Sequence, residues 1–410
     1  MRLAVVSPFV DRRHGTERAL AELIERLAHD YHCAIHLYAQ RAEDLALDQK
    51  FAGSKTHQAA ALGAQEQGEI IWHRVPSIPG PHLVQFLFWL LSNAFCRWWG
   101  SKINGLRFDL VLSPGINCFD ADIVVVHALF HRLRELASDD ANRQSISGFF
   151  RHWHRRVYYS FLTRLERRIY TKPGVSLAAV SGRTASLLKR YFRRNEVRVI
   201  PNGVDAAYFC PSKRLALRAG ARARYRLQET DFLLLLIGND WRNKGLSTIL
   251  AAMAAVREIP LSLLSAGRDA AAPSFQETTG SLGLGGKCHW ETTSADVMEL
   301  YAAADLYVSP SYEDSFGMPV LEAMACGLPV ITSVKAGVSE FITEIEDGFI
   351  LGDPSDSITL ARHLKDLYEN PDMRLRVGEN ARRTAEAYTW ERNAAAVWEF
   401  MNEVASKKRT

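Results

Sequence analysis

Cysteine is scarce and unpaired in this chain: six residues, at positions 33, 96, 118, 210, 288 and 326, with no C-x-x-C pair among 410. That scatter argues against a zinc site or a disulfide framework and fits a reducing compartment. A long apolar run is missing too. A bilayer span needs ~20 apolar residues, and the longest run, Leu83 to Cys96, is about fourteen and interrupted by Gln85, Ser92 and Asn93. The first residues show no charged n-region and apolar h-region of a leader, so the expected location is cytoplasmic. No RNP, zinc-finger or helix-turn-helix pattern is present, which argues against nucleic acid as a partner. Charge of one sign is also lacking overall: the net charge is only +4, so the location of the basic residues says more than their sum.

What is present is a repeated strand-then-helix pattern in a chain longer than one hydrophobic core usually serves, so two domains are expected. Short apolar, β-rich runs at 3–7, 34–38, 110–113, 123–126, 175–180 and 197–200 predict strands of a first domain. Runs at 232–237, 261–265, 288–290, 306–309 and 330–332 predict strands of a second. Polar loops and amphipathic helices separate them. Such βα units build a parallel sheet with its ligand site at the strand carboxyl ends. The polar, Ala- and Gln-rich stretch 42–68 is expected to be irregular or partly helical.

The most informative stretch is 305–333, DLYVSPSYEDSFGMPVLEAMACGLPVITS. It reads as strand, acidic loop, short helix and strand, with Pro319 at a first-turn position and Gly327 and Pro329 ending the helix. Glu313 and Asp314 precede a Ser-Phe-Gly turn, and Glu322 is expected in the first helical turn. Backbone amides from about Gly317 to Val320 would be unpaired there and would attract a diphosphate, while the carboxylates accept hydroxyl hydrogen bonds. Together these describe a nucleotide sugar. The plain alternative is solvated loop acids and a carboxylate that complements the helix dipole. The loop 238–245, GNDWRNKG, offers the second half of a diphosphate site: Arg242 and Lys244 between two glycines after a buried strand. Gly15 is expected just before the first helix, which begins near Thr16, where a phosphate could approach closely or a simple turn suffices. Glu17 and Arg18 follow as acceptor-side candidates or solvated first-turn charges. His127 ends the strand 123–126, and Ser113-Pro114-Gly115 ends the one before it.

The segment PSYEDSFGMPVLEAMACGLPVITS resembles the signature of the retaining glycosyltransferases of family 4, an acid followed by seven residues and a Glu. Asp314 and Glu322 have that spacing, with the shorter acid at the first position and Glu313 one residue out of register. The resemblance implies the GT-B fold: two doubly wound Rossmann-like α/β domains facing across a cleft. It places an acceptor-binding domain at 1–204, a donor-binding domain at 205–388, IPNGVD (200–205) as the hinge, and a terminal helix at about 389–404 that crosses back onto the first domain. It also implies that Asp314 contacts the transferred sugar and Glu322 the ribose. Lys244 and Arg242 would meet the diphosphate, Gly15 would lie near it, and His127 would face the donor sugar or acceptor. Phe316, Gly317, Met318, Pro319 and Val320 would line the nucleotide side, with VKAGVSEF (334–341) beyond them. Among family 4 members the chain is most similar to lipopolysaccharide-core glucosyltransferases. The implied reaction moves a hexose with retention from a UDP- or GDP-linked donor to a hydroxyl of a glycolipid or saccharide, with no cofactor and no metal. Alternatives are an epimerase or hydrolase on the same fold, or a non-catalytic nucleotide-sugar binder.

Two basic-aromatic segments raise peripheral contact with an anionic membrane. In 78–100, Trp98, Trp99 and Arg97 could anchor an interfacial helix, or the helix is simply buried. In 149–172, arginines including Arg151, Arg155 and Arg156 alternate with aromatics, and Glu166 is almost the only acid. A solvated helix packing its aromatics inward has the same composition.

Overall fold

The computed structural model describes residues 1–45, 68–141, 149–292 and 296–409, apart from the side chains of 137–141 and 149–156. Most of the stretch 42–68, Ser294, expected from the sequence to cap a helix at 296–303, and the side chains of Arg151, Arg155 and Arg156 therefore lie outside the described residues. The chain divides into two compact units, Met1–Pro201 with Trp390–Thr410, and Asn202–Thr389. The division falls inside the Pro201-Asn202-Gly203 turn.

In chain order the strands of the first unit are β1 (Arg2–Val6), β2 (Phe9–Val10), β3 (Ala34–Ala39), β4 (Arg41–Ala42), β5 (Ile70–Arg74), β6 (Leu110–Pro114), β7 (Ile123–Val126), β8 (Ser176–Ala179) and β9 (Val197–Val199). Seven of them form a sheet in the order β5-β3-β1-β6-β7-β8-β9, parallel throughout, and β2 pairs with β4 apart from it. Central strands such as Ile-Val-Val-Val of β7 are buried on both faces, which is why they read as continuous apolar runs and not as alternation. The edge strand β5 was not anticipated. Its sequence, IIWHR, carries only two aliphatic residues and its register along β3 is what makes it a strand.

The C-terminal helix Trp390–Arg409 belongs to this first unit. Buried Trp390, Val397 and Met401 supply its packed face. Polar ties fix its ends: Asn393 donates to the Pro201 carbonyl at 2.6 Å, Arg26 pairs with Glu391 at 2.8 Å, and Lys408 reaches Asp122 at 2.9 Å.

The second unit carries β10 (Phe232–Ile237), β11 (Leu261–Ala266), β12 (Cys288–Glu291), β13 (Leu306–Ser309), β14 (Val330–Ser333) and β15 (Phe349–Leu351). They form a parallel sheet ordered β12-β11-β10-β13-β14-β15. Here β15, three residues long, is the unanticipated strand. Asp296 caps the helix Val297–Ala303 through the Met298 amide at 3.0 Å. In both sheets the strand order reverses once, between β1 and β6 and between β10 and β13. In open α/β sheets the loops that leave the carboxyl ends at such a reversal diverge and open a crevice for ligands.

The helix His82–Ile103 is not buried as a whole. Trp89, Leu90 and Asn93 pack inward, while Leu91, Phe95, Trp98 and Trp99 are exposed. Arg97 is corrected by the structure: it is only 6% exposed and pairs with Asp120, so it is no surface anchor. Glu166 is also more than an isolated acid among arginines. It is fully buried and accepts from the Phe130 amide at 2.6 Å and the His131 amide at 2.9 Å, capping the helix Phe130–Ala141.

Two histidines of the first unit, His36 and His73, lie side by side on β3 and β5, their ring nitrogens 2.8 Å apart. Burial pushes each imidazole from its ordinary 6.5 down to about 4, so both are neutral in the folded chain. Between pH 6.5 and 4 the unfolded chain binds protons that the folded chain does not, so stability falls as pH falls through that window. Thermal unfolding followed by circular dichroism should show a lower midpoint at pH 5 than at pH 7. Replacing both residues, His36→Gln with His73→Gln, should flatten that slope; an unchanged slope would show that other groups set it.

Candidate functional site

At the reversal in the second unit, the loops after β10 and β13 are joined by three contacts. Lys244 Nζ pairs with the Asp314 carboxylate, the Tyr312 amide donates to the Asn243 carbonyl at 2.7 Å, and Asn243 Nδ2 donates to the Glu313 carbonyl at 2.8 Å. The backbone allows this because glycine stands at two tight positions. Gly245 has φ +81°, and a Cβ there would lie 2.3 Å from the Pro310 carbonyl oxygen. At Gly238 a Cβ would meet the Lys244 Cε at 3.0 Å, so its absence lets the lysine stem cross the backbone toward Asp314. The loop after β11 closes the other side, where Asn239 Oδ1 accepts from the Arg268 amide at 2.9 Å and Asp269 Oδ2 from the Trp241 amide at 2.5 Å.

Asp314 is held on both sides. Its amide donates to the Lys335 carbonyl at 3.1 Å, its carbonyl accepts from Gly337 at 2.9 Å, and its Oδ1 accepts from the Phe316 amide at 3.2 Å. The chain then turns through Gly317, the N-cap of the helix Met318–Ala325, with Pro319 in the first turn. Only part of the expected amide array is open. The Val320 amide donates back to the Gly317 carbonyl at 3.0 Å and Pro319 has no N–H, which leaves Gly317 and Met318 without acceptors among the described residues. Two donors at a helix start, beside a lysine, still favour an anion.

Glu322 departs from expectation. It stands in the second turn and not the first, and is 3% exposed. Its Oε2 accepts from the Tyr301 hydroxyl at 2.7 Å, and the same hydroxyl lies 3.1 Å from the Pro319 carbonyl oxygen. Burial, with Glu322 alongside, holds the Tyr301 phenol well above its ordinary value, so it stays a donor. Tyr301 orients Glu322. Nothing in the sequence marked it, because a tyrosine among the apolar residues of VMELYAA reads as core.

Of the remaining positions, Phe316 and Val320 are buried and Met318 nearly so, forming the packed wall under the loop. Arg242 is exposed and takes no side-chain partner among the described residues; the turn directs Lys244, not Arg242, to Asp314. Gly15 and His127 belong to the first unit. Gly15 is the exposed first residue of the helix Gly15–His29. Glu17, two residues on, is half-buried, and burial raises its carboxyl. His127 follows β7, is half-buried and has no hydrogen-bond partner among the described residues; burial pushes its imidazole down to about 4. At neutral pH it is an uncharged hydrogen-bonding ring. No group of three or more His, Cys, Asp or Glu side chains that could hold a metal ion is found among the described residues.

Residues 13–208 match the model of Glycosyltransferase Family 4 and residues 218–384 that of Glycosyl transferases group 1. A D-inositol 3-phosphate glycosyltransferase of Salinispora tropica is 28% identical over 261 residues, 60% of this chain and 54% of its own. The lipopolysaccharide glucosyltransferase WaaG of Escherichia coli K12 is 30% identical over 168 residues, 40% of this chain and 45% of its own. The chain thus spans about half the length of the curated relatives it matches. A crystal structure of WaaG, 18% identical, superposes with a TM-score of 0.73 over 97% of this chain and 99% of its own. Anabaena HepE in complex with UDP-glucose, 17% identical, does so at 0.70 over 98% and 100%. At these identities the structural likeness is one of fold.

Tyr301→Phe removes one hydroxyl from a buried carboxylate, and such a loss costs about 1–3 kcal/mol. The midpoint of chemical denaturation should fall accordingly. A variant as stable as the parent would mean that Glu322 does not depend on Tyr301.

Proposed function

This chain belongs to the glycosyltransferases that join a Family 4 domain to a group 1 domain on the GT-B fold, and from that premise we propose that it transfers a hexose from a nucleotide diphosphate sugar to a hydroxyl acceptor. The observation that carries the reading is the Lys244–Asp314 pair set beside the two open amides of Gly317 and Met318. A diphosphate brings more negative charge than one carboxylate and competes for Lys244 Nζ. Asp314, released from the ion pair, is then an acceptor for hydroxyls of the donor sugar, and Glu322 for those of the ribose.

Chemistry at this site is charge stabilisation. As the glycosidic bond to the β-phosphate breaks, negative charge grows on the diphosphate, where Lys244, the Gly317 and Met318 amides and exposed Arg242 can meet it without a metal. Transfer with retention follows if the acceptor hydroxyl attacks from the face the phosphate leaves, that phosphate taking the acceptor's proton. His127, on the first unit, is neutral down to about pH 4, which suits it to a hydrogen bond with a sugar hydroxyl and not to the work of a titrating base. The donor is UDP- or GDP-linked; HepE, which shares the fold, was solved with UDP-glucose.

For the acceptor, WaaG acts on lipopolysaccharide by its name, and the exposed aromatic helix His82–Ile103 suits work beside a lipid surface. No helix among the described residues is long and apolar enough to cross a membrane. We therefore read the protein as a cytoplasmic enzyme that touches an anionic membrane from one side and glycosylates a glycolipid or cell-surface polysaccharide precursor.

Turnover with UDP- and GDP-sugars and lipid-linked acceptors, followed by nucleotide release and product mass, tests this. Lys244→Ala should lower kcat/KM by about 10²-fold or more, the scale for losing one preorganised charge-stabilising donor. Near-normal kinetics would sink the assignment, and nucleotide release without a glycosylated product would make the protein a hydrolase.

A further inference from the structure

The helix His82–Ile103 contains no acidic residue. Val84, Leu87, Leu91, Phe95 and Trp98 form one outward stripe, with Leu91 73% and Trp98 53% exposed. Soluble chains rarely leave so continuous an apolar face uncovered. Beside it runs a groove of about 690 Å³ walled by Leu90, Ala94, Trp98, Phe108 and Phe119, with Arg97 in its lining. That size lies within the roughly 300–1,000 Å³ of small-molecule sites.

The polar floor of the groove is nearly, but not fully, satisfied. Arg97 Nη1 pairs with Asp120 and Nη2 donates to Asn93 Oδ1 at 3.0 Å, yet its buried Nε–H has no acceptor. The Phe119 rim is cationic. The Arg168 guanidinium lies 5.6 Å from the Phe119 ring centre, Lys172 Nζ donates to the Phe119 carbonyl at 2.8 Å, and exposed Arg107 lines the groove. The one acid there, Asp120, is already neutralised by Arg97.

Apolar walls and a cationic rim describe an amphiphile with an anionic head. We propose that this groove seats one acyl chain of an anionic phospholipid, with its phosphate at the cationic rim of Arg107, Arg168 and Lys172. The site rests on the membrane contact proposed above and gives that contact a bound lipid. A chain lodged under Trp98 would hold the stripe at the depth where tryptophan prefers to sit in a bilayer interface.

The probe is a lysophosphatidylglycerol with a brominated acyl chain, kept below its micelle concentration, and the readout is quenching of tryptophan fluorescence. Saturable one-to-one quenching is expected, smaller in amplitude in Trp98→Phe and weaker with the phosphocholine analogue. Ala94 is exposed on the groove wall, so Ala94→Phe fills the groove without entering the core. It should weaken binding about tenfold, which is about 1.4 kcal/mol. Arg107→Glu should weaken it comparably and leave less salt dependence. No saturable quenching in the parent, or equal affinity in Ala94→Phe, overturns the groove.

Co-sedimentation with phosphatidylglycerol vesicles separates the two claims. Pelleting without monomer binding removes the groove and keeps the membrane reading, whereas monomer binding without pelleting keeps the groove and removes the membrane reading. Lipid-free self-association abolished by Leu91→Asp would assign the face to a second copy and overturn the proposal.

Discussion

The ion pair between Lys244 and Asp314 ties together the site at the sheet reversal. Both partners sit on loops that leave adjacent strands, β10 and β13, and part there because the chain continues to opposite edges of the sheet. A charge pair this sheltered is costly to break by deleting one partner, because the other charge is left uncompensated. It therefore sets the spacing of the two loops before any ligand arrives. The glycines at 238 and 245, the Asn243 bridge and the carbonyl clamps on Asp314 all serve that spacing.

This arrangement also gives the proposed chemistry its economy. A lysine already opposite a carboxylate is neither fully hydrated nor free to wander, so a diphosphate meets a donor in place. In the proposed reaction, exchange of one anion for another would leave Asp314 facing the sugar end of the donor. Glu322 is set differently, buried in the second helical turn and oriented by a phenol that burial keeps protonated. Of the two acids eight positions apart, one is poised to exchange partners and the other is fixed.

Much of this was legible in the residues. Strand runs such as Phe232–Ile237, Ile123–Val126 and Leu306–Ser309 lie where their apolar composition places them, because strands buried on both faces admit little else. The short edge strands β5 and β15 were not, since an edge is made by its neighbour more than by its own side chains. Periodicity located the helix after Gly317, but not which amides stay open, because Val320 bonding back to Gly317 is a matter of local geometry. Arg97 read as a surface anchor and is a buried partner of Asp120, since a basic residue beside two tryptophans fits either role until the packing is seen. Tyr301 was invisible because its partner, Glu322, lies on a different helix.

The most direct test of the central claim compares the affinity of the nucleoside diphosphate with that of its nucleoside, using calorimetry on the parent chain and on Lys244→Met. If Lys244 holds the diphosphate, the variant should lose about tenfold or more in UDP or GDP affinity, about 1.4 kcal/mol, while nucleoside affinity stays nearly unchanged. An equal loss for both ligands, or no loss for either, would contradict a diphosphate site at the Lys244–Asp314 pair.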